Sequence, residues 1–168
     1  MVGNGGGGKS TLSAALSRHY AVPWYEIDKI QFGPGWSSAP VDQVRFEIEA
    51  IVAGEEWLID GFGPYDTMVS RFQAADLIVF VDFPLWIHYW WAMERQIAAH
   101  LGEERLGGPE GCDLRDVNKR MCQAIWHVHT EIRPRLVEDL AKWHGKVRTI
   151  TSPEEMDAYL LEPGSPHE

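Results

Sequence analysis

The sequence predicts an α/β protein whose parallel sheet is covered by helices on both faces. Three observations lead there. Short apolar runs alternate with stretches whose apolar residues recur at helical spacing. The runs Trp57-Leu58-Ile59-Asp60-Gly61 and Leu77-Ile78-Val79-Phe80-Val81-Asp82 are continuously apolar until they reach an acid, the pattern of strands buried on both sides. A glycine-rich segment, Gly3-Asn4-Gly5-Gly6-Gly7-Gly8-Lys9-Ser10-Thr11, stands directly before a periodic stretch.

Taken in order, Leu12, Ala15, Leu16 and His19 mark the first helix. A short strand over about Trp24–Ile27 ends at Asp28, and Gly33-Pro34-Gly35 makes a turn. Ser38-Ala39-Pro40 opens a helix whose stripe is Val41, Val44, Ile48, Ile51 and Val52, with Gly54 as its stop. The two acid-ended strands follow, then a helix over about 84–101 and a Gly-rich, charged loop over 102–113. A long helical stretch begins near Leu114. Pro134 should kink or break it, because proline lacks the amide donor and clashes with the preceding turn. Val147–Ile150 is a last strand, and Ser152-Pro153-Glu154-Glu155 resembles a capping box. From Glu162 the chain reads as a loose tail.

The 168 residues suit one domain over 1–168, and 45% hydrophobic content supplies a core. A net charge of −10 opposes a sequence-independent grip on nucleic acid, which needs many cationic contacts to phosphate. Two cysteines without CxxC spacing suggest a reducing compartment. No apolar run is long enough to span a bilayer. A cytoplasmic protein with no membrane partner is expected; the oligomeric state is open.

The glycine-rich segment matches G-x-x-x-x-G-K-S. Such a loop curls so that successive N–H groups point at phosphate oxygens, with the positive end of the next helix behind them. Gly3, Asn4, Gly5, Gly6, Gly7, Gly8 and Thr11 are therefore expected around a nucleoside triphosphate. Lys9 reaches its terminal phosphates, and Ser10 ligates Mg²⁺. A P-loop should follow a strand, yet only Met1 and Val2 precede this one. An upstream start is the favoured explanation, with a truncated chain or a stub strand as alternatives.

In a parallel sheet, ligands bind beyond the carboxyl ends of the strands, where Lys9, Asp28, Asp60 and Asp82 fall. Asp60 is the expected second metal-shell residue. Asp82 reads as structural, capping the next helix or bonding to the loop. Asp28 is a candidate to orient the acceptor, to act as a base or to join the metal shell. Arg95, and Arg133 and Arg135 on either side of Pro134, are candidates to offset charge during phosphoryl transfer. Arg71 and Arg105 are further ones. The histidines lack metal-ligand spacing. Trp36, in a turn, is placed where an acceptor could be stacked.

The chain resembles the adenylate-kinase-related proteins called topology-modulation proteins. Gly3–Thr11, Phe32-Gly33-Pro34-Gly35-Trp36, Ile59-Asp60-Gly61, Val81-Asp82-Phe83-Pro84, Arg133-Pro134-Arg135 and Ser152-Pro153-Glu154 carry the likeness. The resemblance implies a three-layer P-loop NTPase fold of nucleoside-monophosphate-kinase type. Its strand order would be 2-3-1-4-5, the first strand being truncated here. An acceptor-binding region would span about 29–55, and a lid about 102–113. It implies that Asp60 sits near Mg²⁺ and that Ser152 and Pro153 contact the base. The arginine that follows this segment in adenylate kinases is replaced by Gly63-Pro64-Tyr65, so AMP is not the obvious acceptor. The expected function is transfer of a phosphoryl group from ATP, with GTP not excluded, to a small acceptor. The alternative is a regulatory ATPase acting through a protein or DNA partner.

Overall fold

The computed structural model describes residues 1–103, 108–113 and 118–161. The chain runs β1 (Val2–Gly3), α1 (Lys9–Tyr20), β2 (Trp24–Glu26), α2 (Ile27–Gln31), β3 (Phe32–Gly33), β4 (Ser37–Ser38) and α3 (Val41–Val52). It continues through β5 (Leu58–Asp60), α4 (Thr67–Ala74), β6 (Ile78–Val81), α5 (Leu85–His100), α6 (Asn118–His127), α7 (Arg133–Ala141), β7 (Val147–Ile150) and α8 (Pro153–Leu161). This is a mixed α/β architecture. Among the described residues no helix is long and apolar enough to cross a membrane.

The parallel strands fall in two ladders. β6 lies between β1 and β7, with Val2 opposite Phe80 and Ile78 opposite Val147. β2 pairs with β5, Glu26 opposite Asp60. Two hydrogen bonds link the ladders: the Met1 nitrogen donates to the Ile59 carbonyl at 2.7 Å, and the Gly61 amide donates to the Met1 carbonyl at 3.2 Å.

β6 shows why the sequence folds this way. All four of its residues are buried, and alternate side chains point to opposite faces. Val79 and Val81 pack with Leu12 and Leu16 of α1, Ile87 of α5, and Met156 and Tyr159 of α8. Ile78 and Phe80 pack with Met68 and Phe72 of α4 and Leu136 and Leu140 of α7. Helices thus cover both sides of this strand. Each such buried side chain contributes about 1.5–3 kcal/mol. A third cluster, Ile27, Val44, Ile48 and Ile59, seats α2 and α3 against β5.

Several expectations need correction. The second strand stops at Glu26. Ile27 turns into the third cluster, so Asp28 stands in a one-turn helix rather than after a strand. The turn at Gly33–Gly35 belongs to an antiparallel hairpin, β3–β4. α4 was not expected, because Met68 and Phe72 are its only large buried apolar residues. Pro134 does not end the helical stretch: a π-helical turn over Val128–Ile132 precedes it, and Ile132 and Arg133 keep right-handed helical dihedral angles into α7. Ser152 Oγ caps the Glu155 amide at 3.2 Å, but the Glu155 carboxylate turns to the amide and hydroxyl of Thr151. The loop expected as a lid lies partly outside the described residues, as do Arg105 and the tail.

Candidate functional site

The glycine-rich loop leaves β1 and enters α1 through Gly8, whose φ of 70° is left-handed. A Cβ there would meet the Trp91 ring at 2.9 Å, so this position takes glycine on two counts. α5 backs the loop. His88 is buried, and its Nδ1 lies 3.0 Å from the Gly5 carbonyl. A carbonyl only accepts, so Nδ1 carries the proton. Burial first, and Lys9 second, push the imidazole down to about 4. Asn4 pins the other side: its Nδ2 donates to the Ile125 carbonyl at 2.9 Å, and its Oδ1 accepts from the Gly5 amide at 2.7 Å.

The loop borders a cavity of about 470 Å³ at the carboxyl ends of β1, β2 and β5. Gly3, Gly5, Gly6, Gly7, Gly8, Lys9, Ser10 and Thr11 form one wall, and Glu26, Asp28, Asp60, Gly61 and Phe62 form another. Arg95 and Ala124 complete it. The Lys9 ammonium donates to the Asn4 carbonyl at 2.8 Å, folded over the loop that it serves.

Ser10 Oγ donates to Asp60 Oδ2 at 2.9 Å, joining residues fifty positions apart in sequence. Asp60 is buried, and its Oδ1 has no hydrogen-bond partner among the described residues. Burial pushes its carboxyl above the usual range, against the pull of Lys9 and the Ser10 hydroxyl. The turn after Asp60 is fixed by Arg71, whose Nη1 and Nη2 donate to the carbonyls of Gly61 and Phe62 at 3.0 and 2.9 Å. Burial lowers this guanidinium to about 10, partly offset by Asp60.

Other expected residues stand elsewhere. Arg133 makes a two-pronged contact with Asp82, Nε to Oδ1 at 2.6 Å and Nη2 to Oδ2 at 2.7 Å. Arg135 stacks over Tyr65, 4.0 Å from the ring centre. Neither arginine lines the cavity, and neither do Ser152 and Pro153. Asp82 is held by Arg133 and, through its amide, by the Ile150 carbonyl at 2.9 Å. Trp36 also lies outside the lining. Its Nε1 donates to the Asp113 carbonyl at 3.0 Å, and its φ is 61°.

Two residues of the site were missed in the sequence. Glu26 is buried, pairs with Lys29 at 2.5 Å and accepts from the Gly108 amide at 2.8 Å. It ends its strand just as Asp60 ends β5, a signal that was there to use. His88 carried none, since only the packing of α5 brings it to the loop. The chain matches no protein-family model, and comparison with curated proteins finds no match.

Proposed function

We propose that this chain is a P-loop phosphotransferase that moves the terminal phosphoryl group of ATP to a small acceptor. The observation that carries the reading is the Ser10–Asp60 hydrogen bond at the floor of a glycine-walled cavity. A P-loop hydroxyl beside a strand-end carboxylate is the oxygen donor pair that suits Mg²⁺ next to phosphate. The partnerless, buried Oδ1 of Asp60 fits the same reading, since a buried carboxylate oxygen calls for a partner. The two ladders, joined through Met1, are read as one sheet of order 2-3-1-4-5 when the five parallel strands are counted along the chain. That order supports a P-loop NTPase fold of nucleoside-monophosphate-kinase type.

In this mechanism the loop amides and the amino end of α1 bind the β- and γ-phosphates. Lys9 swings from the Asn4 carbonyl to the terminal phosphate. Arg95 faces the same space and offsets the charge that spreads over the transferring group. Ser10 and, through water, Asp60 would hold Mg²⁺, which would supply neutralising charge to the phosphates when bound. Arg133 and Arg135 support the site from outside the cavity, through Asp82 and Tyr65.

Calorimetry with ATP and Mg²⁺ on the full chain tests the binding, and phosphorus NMR of the reaction mixture tests the transfer. Binding with a new phosphorylated product is expected. Binding with release of inorganic phosphate alone would favour the regulatory ATPase, and no binding of any nucleoside triphosphate would end both readings.

A further inference from the structure

The acceptor's class can be read from the charges around the cavity, an inference that rests on the function just proposed. Glu26 and Asp60 are opposite one another in the β2–β5 ladder, and both are buried. Asp28, two residues after Glu26, is exposed on the same wall. Three carboxylates therefore face the space where an acceptor enters. A phosphorylated acceptor would need guanidinium groups there, because a dianion among carboxylates is repelled and Arg is the side chain that grips phosphate in two prongs.

Four described arginines of the surrounding elements are engaged elsewhere, and Arg95, which lines the cavity, is already assigned to the transferring phosphoryl group. Arg45 bonds to Asp42 and Asp66, both at 2.8 Å. Arg71 is buried against the Gly61 and Phe62 carbonyls, Arg133 holds Asp82, and Arg135 covers Tyr65. Lys29 is tied to Glu26. Glu26 has its second oxygen on the Gly108 amide. Asp60 faces Ser10. Asp28 is the carboxylate best placed to meet a new molecule.

We propose that the acceptor is a phosphate-free alcohol, neutral or cationic, whose hydroxyl donates to Asp28. In the transfer step the hydroxyl oxygen forms a bond to the γ-phosphorus. The bond from that phosphorus to the β–γ bridging oxygen breaks, and its electron pair leaves with ADP. The hydroxyl proton passes to the Asp28 carboxylate and then to water. The products are a phosphate monoester, ADP and a proton.

The test incubates the full chain, ATP and Mg²⁺ with D-ribose, D-glucose, glycerol, adenosine, ethanolamine and kanamycin, and separately with the four common nucleoside monophosphates. At least one alcohol should raise ADP formation about tenfold over the acceptor-free rate and give a monoester resonance by phosphorus NMR, while the monophosphates give none. Asp28→Asn should lower kcat for that alcohol about 100-fold, with the Kd for ATP within about twofold. Phosphorylation of a nucleoside monophosphate, or of no alcohol in the panel, overturns the inference. Calorimetry with ATP separates the two failures: ATP binding without alcohol turnover removes only the acceptor class, whereas absent ATP binding removes the function.

A second inference stands on a different observation. One face of α5 exposes Trp86, Trp90, Met93, Ile97 and Leu101 at 66%, 60%, 51%, 57% and 74% of their surface. The 4-3-4-4 spacing is a continuous apolar seam, of the kind that helices bury against each other. Together these side chains offer on the order of 650 Å² of apolar surface, most of the roughly 800 Å² that one partner brings to a stable interface. We infer that the seam pairs with the same seam of a second copy, since an isologous contact needs only a self-complementary patch. Sedimentation equilibrium at micromolar concentration should give a dimer. Trp90→Glu and, separately, Ile97→Lys should each give a monomer with unchanged far-ultraviolet circular dichroism. A monomeric parent chain, or a dimer that survives in either folded variant, overturns the pairing. A monomer that co-sediments with phosphatidylglycerol vesicles assigns the face to a lipid surface and overturns it too.

Discussion

The imidazole of His88 donates to the Gly5 carbonyl over 3.0 Å, so a helix eighty-three residues downstream holds the glycine-rich loop in shape. Burial, with Lys9 behind it, keeps the ring neutral by pushing it down to about 4, from an ordinary 6.5, against the Gly5 bond, which favours the charged form. The sign follows from proton counting. Between about 6.5 and 4 the unfolded chain binds the His88 proton and the folded chain does not, so stability contributed by the neutral ring is lost as pH falls through that window. His88→Phe keeps the aromatic bulk beside Phe83 but leaves the Gly5 carbonyl without its donor. The expected cost is about 1–3 kcal/mol, with a melting temperature several degrees lower. Denaturant melts from pH 4.5 to 7.5 should show a shallower acid slope in the variant. Parallel curves would mean that His88 does not govern the slope.

Asp60 illustrates the opposite sign. Its folded-state carboxyl is raised, so the stability linked to its protonation is present at low pH and lost as pH rises through the folded value. At neutral pH the buried charge is therefore a cost that the fold carries. Asp60→Asn keeps an oxygen to accept from Ser10 and removes that charge. The melting temperature should hold or rise, turnover should fall about 100-fold or more, and the gain in ATP affinity on adding Mg²⁺ should vanish. Calorimetry with and without Mg²⁺ checks it; a variant that keeps the Mg²⁺ dependence would remove Asp60 from the metal shell.

The Arg133–Asp82 pair offers a test between support and direct participation. Two short hydrogen bonds, at 2.6 and 2.7 Å, leave this guanidinium committed to a carboxylate at the end of β6. Arg133→Ala and Asp82→Asn should each destabilise by about 1–2 kcal/mol, and the double variant by clearly less than their sum. Loss of activity should follow loss of stability equally in both. A kcat collapse in Arg133→Ala that Asp82→Asn does not share would place the arginine on the phosphates instead.

What the sequence revealed, and what it did not, divides along physical lines. β6 and the entry into α1 were legible because burial on both faces, or glycine chemistry, leaves a local imprint at fixed spacing. Ser10 and Asp60 were expected around one Mg²⁺; the direct hydrogen bond between them was not, because it depends on how β5 sits beside β1. α4 escaped because two large apolar residues make a weak period. The inward turn expected of Arg133 and Arg135 failed for another reason: Asp82 and Tyr65, remote in sequence, offer them partners outside the cavity. Glu26 is the instructive miss. It stands opposite Asp60 in the ladder, and an acid ending one strand was weighed while its neighbour's was not.

Gly6 gives the sharpest test of the loop's construction. Its φ of 67° lies in the left-handed region, where an alanine is strained by about 1 kcal/mol. Space is the larger obstacle: a Cβ at this position would stand 2.3 Å from the His88 carbonyl oxygen and 3.1 Å from the Ala92 Cβ. Both obstacles belong to α5, whose backbone does not yield cheaply, so the loop must move instead. Any such movement reshapes the wall that Gly5, Gly7 and Gly8 give the cavity. Gly6→Ala should therefore lower the melting temperature by several degrees and weaken ATP binding at least about tenfold. Gly145→Ala is the matched control, because a Cβ there meets nothing within 4 Å. It should leave ATP binding unchanged and stability level or slightly raised, by about 0.4–1 kcal/mol. Thermal melts and ATP calorimetry on the two variants side by side decide the matter: if Gly6→Ala behaves like Gly145→Ala, the close approach of α5 is not what shapes the glycine-rich loop.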